Sequence, residues 1–222
     1  MSKKNVYLIA GHGENDWAYV QDAVKSLGIK NPAAAHIGTA NGDRFIAVER
    51  TIQAMNGCTV RLAPLAPHHR DLDEAKRVLQ ESDVIFISGG EVEDGMTGLP
   101  EEIRKLLWQR YEDGALFIGM SAGTIMLGSA WPHWDDEDND FENAYLFDCL
   151  GFVPTIFDTH CEDEGWPELK KAVELREEGF TGYGIPAGGM VIYTPEGKME
   201  VTKPLDPFTN INGKAEEGEG SW

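Results

Sequence analysis

Short apolar runs rich in β-favouring residues alternate along the chain with longer segments whose apolar positions recur every three or four residues. The runs are Val6–Ala10, Ala34–Thr39, Thr59–Leu65, Val84–Ser88, Ala115–Met120 and Phe152–Phe157. Between them the spacing predicts helices over Asp16–Leu27, Asp43–Met55, Asp71–Glu81, Pro100–Asp113, Ala122–Ala130 and Pro167–Glu178. Asp43 and Asp71 stand where N-caps are expected, and Pro100 and Pro167 where first-turn prolines are favoured. Near-continuous apolar strands alternating with helices predict an α/β protein with a mostly parallel central sheet buried on both faces. In such a sheet the functional loops lie at the C-terminal ends of the strands.

Three segments leave this rhythm. His133–Asp140 is an acidic run that reads as a solvated loop. Gly188–Val201 reads as a β-hairpin turning near Pro195–Gly197. After Pro204 the chain becomes polar and glycine-rich and reads as frayed. The expected organisation is one α/β domain over residues 1–205, followed by a polar tail over 206–222.

Length and composition narrow the classes. At 222 residues with 41% hydrophobic residues, the chain can bury one sizeable core and does not require two. No charged start precedes an apolar signal stretch, and no apolar run reaches the roughly 20 residues of a membrane span, so a soluble, cytoplasmic protein is expected. The three cysteines, Cys58, Cys149 and Cys161, are odd in number and lack C-x-x-C spacing, which suggests neither a disulfide framework nor a zinc site. A net charge of −19 argues against nucleic acid and anionic membranes as partners.

The chemistry concentrates at strand ends. Gly119-Met120-Ser121-Ala122-Gly123 follows a predicted strand and opens a predicted helix, the context of a nucleophile elbow. Such an elbow lifts the Ser121 oxygen clear of the sheet, and the Ala122 amide then faces the place where an oxyanion forms. Gly89-Gly90 follows the strand Val84–Ser88 and assigns the Gly90 amide as second oxyanion donor. Among six histidines, His160 closes the sixth run and is the expected base, with His12 in Gly11-His12-Gly13 as runner-up. His36 reads as an interior residue. Trp131, Trp134 and Trp166 read equally as pocket walls or as packing.

ISGGEV, GMSAG and FDTH, in this order, resemble the serine peptidase family that contains dipeptidase E (α-aspartyl dipeptidase) and cyanophycinase. IGTANGD and GYGIPAGG are also similar to segments of that family, and the likeness extends to about Thr202. It implies a three-layer α/β sandwich of the class I glutamine-amidotransferase-like, flavodoxin type, with no metal or organic cofactor. It further implies that Ser121 attacks a peptide carbonyl, that His160 carries the proton, and that Asp158 contacts the substrate.

Two departures qualify the resemblance. Where the family places a glutamate that orients the histidine, this chain has Ala187, and Asp136 or Asp138 is offered as a substitute, with Glu162 and Asp158 as further options. The family's arginines after the catalytic histidine are replaced by an acidic stretch, and Glu91-Val92 follows Gly90 in place of the expected amide side chain. An aspartyl substrate is therefore disfavoured, and Glu91, Asp158 and Glu162 are expected to meet the amine of a basic or neutral first residue. The expectation is a serine exopeptidase acting on short peptides, monomeric or homodimeric. The alternative is an impaired relative that binds a peptide, an amino acid or a protein.

Overall fold

The computed structural model describes residues 3–55, 57–134 and 141–218. Its strands are β1 (Val6–Ile9), β2 (Ala33–Ile37), β3 (Thr59–Leu62), β4 (Val84–Ile87), β5 (Leu116–Met120), β6 (Ala130–His133), β7 (Tyr145–Asp148), β8 (Phe157–Thr159), β9 (Thr181–Ile185), β10 (Met190–Tyr193), β11 (Met199–Val201), β12 (Asp206–Ile211) and β13 (Lys214–Glu217). The helices are α1 (Asp16–Lys25), α2 (Phe45–Ala54), α3 (Leu72–Glu81), α4 (Val92–Thr97), α5 (Glu101–Glu112), α6 (Ala122–Leu127) and α7 (Pro167–Glu174). None is long and apolar enough to cross a membrane.

The central sheet has the order β11-β10-β1-β5-β4-β2-β3. Its five strands from β1 to β3 are parallel, and the hairpin β10–β11 joins antiparallel beside β1. Strand residues alternate between two cores. Val6, Leu8, Ile85, Ile87 and Phe117 pack beneath α3, α5 and α6, whereas Tyr7, Ile9, Val84, Phe86 and Ile118 pack against α1 and α2. This is the doubly covered sheet that the apolar runs predict, a three-layer α/β architecture.

A second sheet, β13-β12-β9-β8, is built from segments after residue 156 other than the β10–β11 hairpin, and β6 pairs with β7 as a separate ribbon. Here the sequence expectations need correction. Phe152–Phe157 is not one strand; β8 begins only at Phe157. The backbone before it bonds elsewhere, with the Val153 amide on Leu127 O and Thr155 O accepting from Ser129, while Pro154 has no amide to give a ladder. The polar segment after residue 205 is not frayed through residue 217: β12 pairs with β9 and β13, and it buries Phe208. Asp71 caps α3 through the Glu74 amide at 3.0 Å, as expected. Asp43 does not cap α2; its Oδ2 accepts the amides of Leu65 and Ala66 at 3.1 and 2.8 Å, leaving Arg44 at the cap position.

Candidate active site

The central strands β1, β5 and β4 are neighbours, so the loops at their C-terminal ends meet. Ser121 follows β5 with φ 54 and ψ −124, a strained conformation for a residue other than glycine. Its amide donates to Ile9 O at 2.9 Å, and its carbonyl accepts from Thr124 and Ile125 to start α6. A Cβ on Gly123 would lie 2.0 Å from Ile87 O, and one on Gly119 2.5 Å from Gly123 O. Both glycines are thus required for α6 to press onto β4 while the chain reverses. The turn presents Ser121 Oγ at 2.8 Å from His160 Nε2.

His160 follows β8, itself with a positive φ of 47, and its amide is held by Ile185 O at 2.9 Å. The ring of His12, from the loop after β1, stacks on the His160 ring at 4.1 Å and 8°. The expected runner-up base thus lies face to face with the ring of the first choice. Burial, and next the neighbouring His12, hold the His160 pKa below the usual histidine value, which favours the neutral imidazole that can accept a proton. Among the described residues no carboxylate hydrogen-bonds the His160 ring. Glu162 Oε1 instead accepts the Ala187 amide at 2.9 Å. Asp136 and Asp138 lie outside the described residues.

Gly90 has φ 144, and a Cβ there would fall 2.0 Å from Ala40 O, so only glycine fits. Among the described residues neither the Gly90 nor the Ala122 amide donates a hydrogen bond, and both residues line the same cavity as Ser121. The cavity measures about 650 Å³, and its wall includes Glu91, Glu93, Asp94, Asp158 and Glu168 but, among the described residues, no lysine or arginine. Asp158 is buried with Oδ1 on the Thr159 amide at 2.7 Å, and burial pushes its carboxyl up to about 7.

A family model described as peptidase family S51 matches residues 7–201. The chain belongs to peptidase family S51. In structure this S51 chain is similar to a peptidase from an acI-B1 actinobacterium, with a TM-score of 0.71 at 14% identity over 97% of this chain and 93% of the other. It is also similar to a candidate peptidase E protein from Listeria monocytogenes EGD-e, with a TM-score of 0.68 at 19% identity over 91% of this chain and 99% of the other. No curated protein matches it. The likeness at these identities is one of fold, and it agrees with the α/β sandwich described above.

Of the residues singled out in the sequence, the S51 fold brings Ser121, His160, Gly90, Ala122, Glu91 and Asp158 to one cavity. Trp131 and Trp134 also stand on its wall. Trp166 does not; it is buried across Gly184, where a Cβ would meet the indole at 2.6 Å. Cys161 and Glu168 reach the cavity without a sequence signal of their own, carried there by the left-handed turns at His160 and Trp166.

Proposed function

We propose that this S51 chain is a serine peptidase that cleaves short peptides through an acyl-enzyme on Ser121. The observation that carries the reading is the 2.8 Å contact between Ser121 Oγ and His160 Nε2 at a strained elbow. As Oγ attacks the peptide carbonyl, its proton passes to Nε2, and the Gly90 and Ala122 amides receive the oxyanion. The C–N bond then breaks as His160 returns the proton to the leaving amine. Water, deprotonated by the same imidazole, releases the second product and restores Ser121.

The cavity wall supports the substrate class. Glu91, Asp158 and their acidic neighbours, without a basic residue among those described, favour a peptide whose first residue is basic or neutral and disfavour an aspartyl peptide. The Ser–His pair works here without a carboxylate on the imidazole among the described residues, and the stacked His12 and the Ile185 carbonyl fix the ring and backbone of His160 in its place. In this reading a relay acid would come from Asp136 or Asp138, and a Ser–His pair without one is slowed but keeps an advantage over water. An imidazole that no carboxylate orients would favour a second reading, in which the cavity binds a peptide without cleaving it.

Labelling with a small fluorophosphonate, read by intact mass, separates the two. The wild-type chain is expected to gain one adduct and Ser121→Ala none, with both variants folded. A dipeptide panel should then show turnover for basic and neutral first residues well above that for aspartyl ones. A folded wild-type protein that takes no label would leave the binding reading.

A further inference from the structure

Two carboxylate oxygens on the cavity wall are buried and unpartnered, Asp158 Oδ2 and Glu168 Oε2. Asp158 is only 4% exposed, so bulk water does not supply the missing partner. A buried acceptor left bare costs about 1–3 kcal/mol, and more when it is charged. Next to both stands a thiol. One carboxylate oxygen from each acid and the Cys161 Sγ lie within 4.8 Å of one another.

Each member is delivered by a separate piece of structure. Asp158 comes from β8, with its other oxygen already tied to the Thr159 amide. Cys161 follows the left-handed turn at His160. Glu168 stands in the first turn of α7, whose start is anchored by Trp166, packed over Gly184 and hydrogen-bonded through Nε1 to Asp206 Oδ2 at 2.9 Å. No nearby cation meets the set from within the fold: the cavity wall has no lysine or arginine among the described residues, and Lys170 Nζ lies 5.0 Å over the Phe208 ring.

We propose that Asp158, Cys161 and Glu168 form a binding site for a thiophilic divalent metal ion of the zinc type. Around a tetrahedral ion with bonds of about 2.0–2.3 Å, neighbouring ligand atoms stand roughly 3.3–3.6 Å apart, a separation that modest side-chain rotations reach from this arrangement. Two oxygens and one sulfur select zinc, cobalt or cadmium over magnesium and calcium, which take six or more oxygen ligands. Three protein ligands leave the fourth position open to the cavity. Binding releases the Cys161 thiol proton to solvent as the metal–sulfur bond forms, with no change of oxidation state. A peptide ammonium on these two carboxylates would leave the sulfur without a role; with the ion bound, Glu91, Glu93 and Asp94 remain on the wall to meet a substrate amine.

The site does not depend on whether Ser121 is acylated, and its test avoids activity as a readout. The full chain is stripped with a chelator, kept reduced and titrated with cobalt(II), following the thiolate-to-cobalt charge-transfer absorption. One equivalent per chain is expected, and zinc should displace it. Cys161→Ser should lose the band and Cys58→Ser should keep it, while Glu168→Gln should weaken binding by about tenfold or more, with folding checked by circular dichroism. A folded wild-type chain without the band, or an undiminished band in Cys161→Ser, would overturn the site. Ser121 labelling decides the peptidase reading separately.

Discussion

At the scale of single residues, His36 shows what burial does to a titratable group. It is completely buried in β2, its Nδ1 bonds to Thr51 Oγ1 at 3.1 Å, and the charge of Asp43 acts on it. Burial pushes its pKa down to about 4, against a partial opposing pull from Asp43. The unfolded chain, with an ordinary histidine, binds the extra proton first as pH falls. The stability that neutral His36 contributes is therefore complete above pH ~6.5 and is lost as pH falls toward ~4, a change of about 3 kcal/mol. Urea unfolding should show the wild type losing that much more than His36→Asn between neutral and mildly acid pH; parallel curves would refute it. His36 was legible as an interior residue because it sits within an apolar strand run, and the positions of Ser121 and His160 because apolar runs end just before them. Cys161 and Glu168 were not. They meet only because two non-glycine residues adopt positive φ, which no local propensity announces.

Among the elements, the parallel strands were the easiest to read, since burial on both faces writes an uninterrupted apolar run. β12 and β13 were the hardest. An edge pair keeps polar residues on its open face, so Asp206–Ile211 and Lys214–Glu217 resemble solvated chain. Their signal was the Asn212-Gly213 pair between them, a two-residue hairpin turn with both residues at positive φ. The pairing matters beyond its own strands. Asn210, 3% exposed, donates from Nδ2 to Arg176 O at 2.7 Å and to Glu174 O at 3.4 Å, and accepts the Gly213 amide at 2.9 Å. It thereby ties the hairpin to the carbonyls at the end of α7. Asn210→Ala should cost about 2 kcal/mol in urea unfolding, because those carbonyls lose their donor. A loss under about 0.5 kcal/mol would show that solvent serves them equally well.

Across the whole molecule, the charge of −19 and the acidic cavity act in the same direction. Under the proposed reading both would draw cationic peptides in and repel anionic ones, over a range set by ionic strength. Raising salt from about 0.01 M to about 0.1 M shortens that range from about 30 Å to about 10 Å. For peptides with a basic first residue kcat/KM should fall over this interval, whereas for acidic ones it should rise. Salt dependence of the same sign for both would remove the electrostatic argument for the substrate class.

β8, which leads into His160, gains its place in the second sheet from β9, and β9 is held on its other side by β12. During synthesis the ribosome releases the Ser121 elbow early, while the support behind His160 is still untranslated. The newly made chain thus has its serine before the strands that hold the His160 backbone.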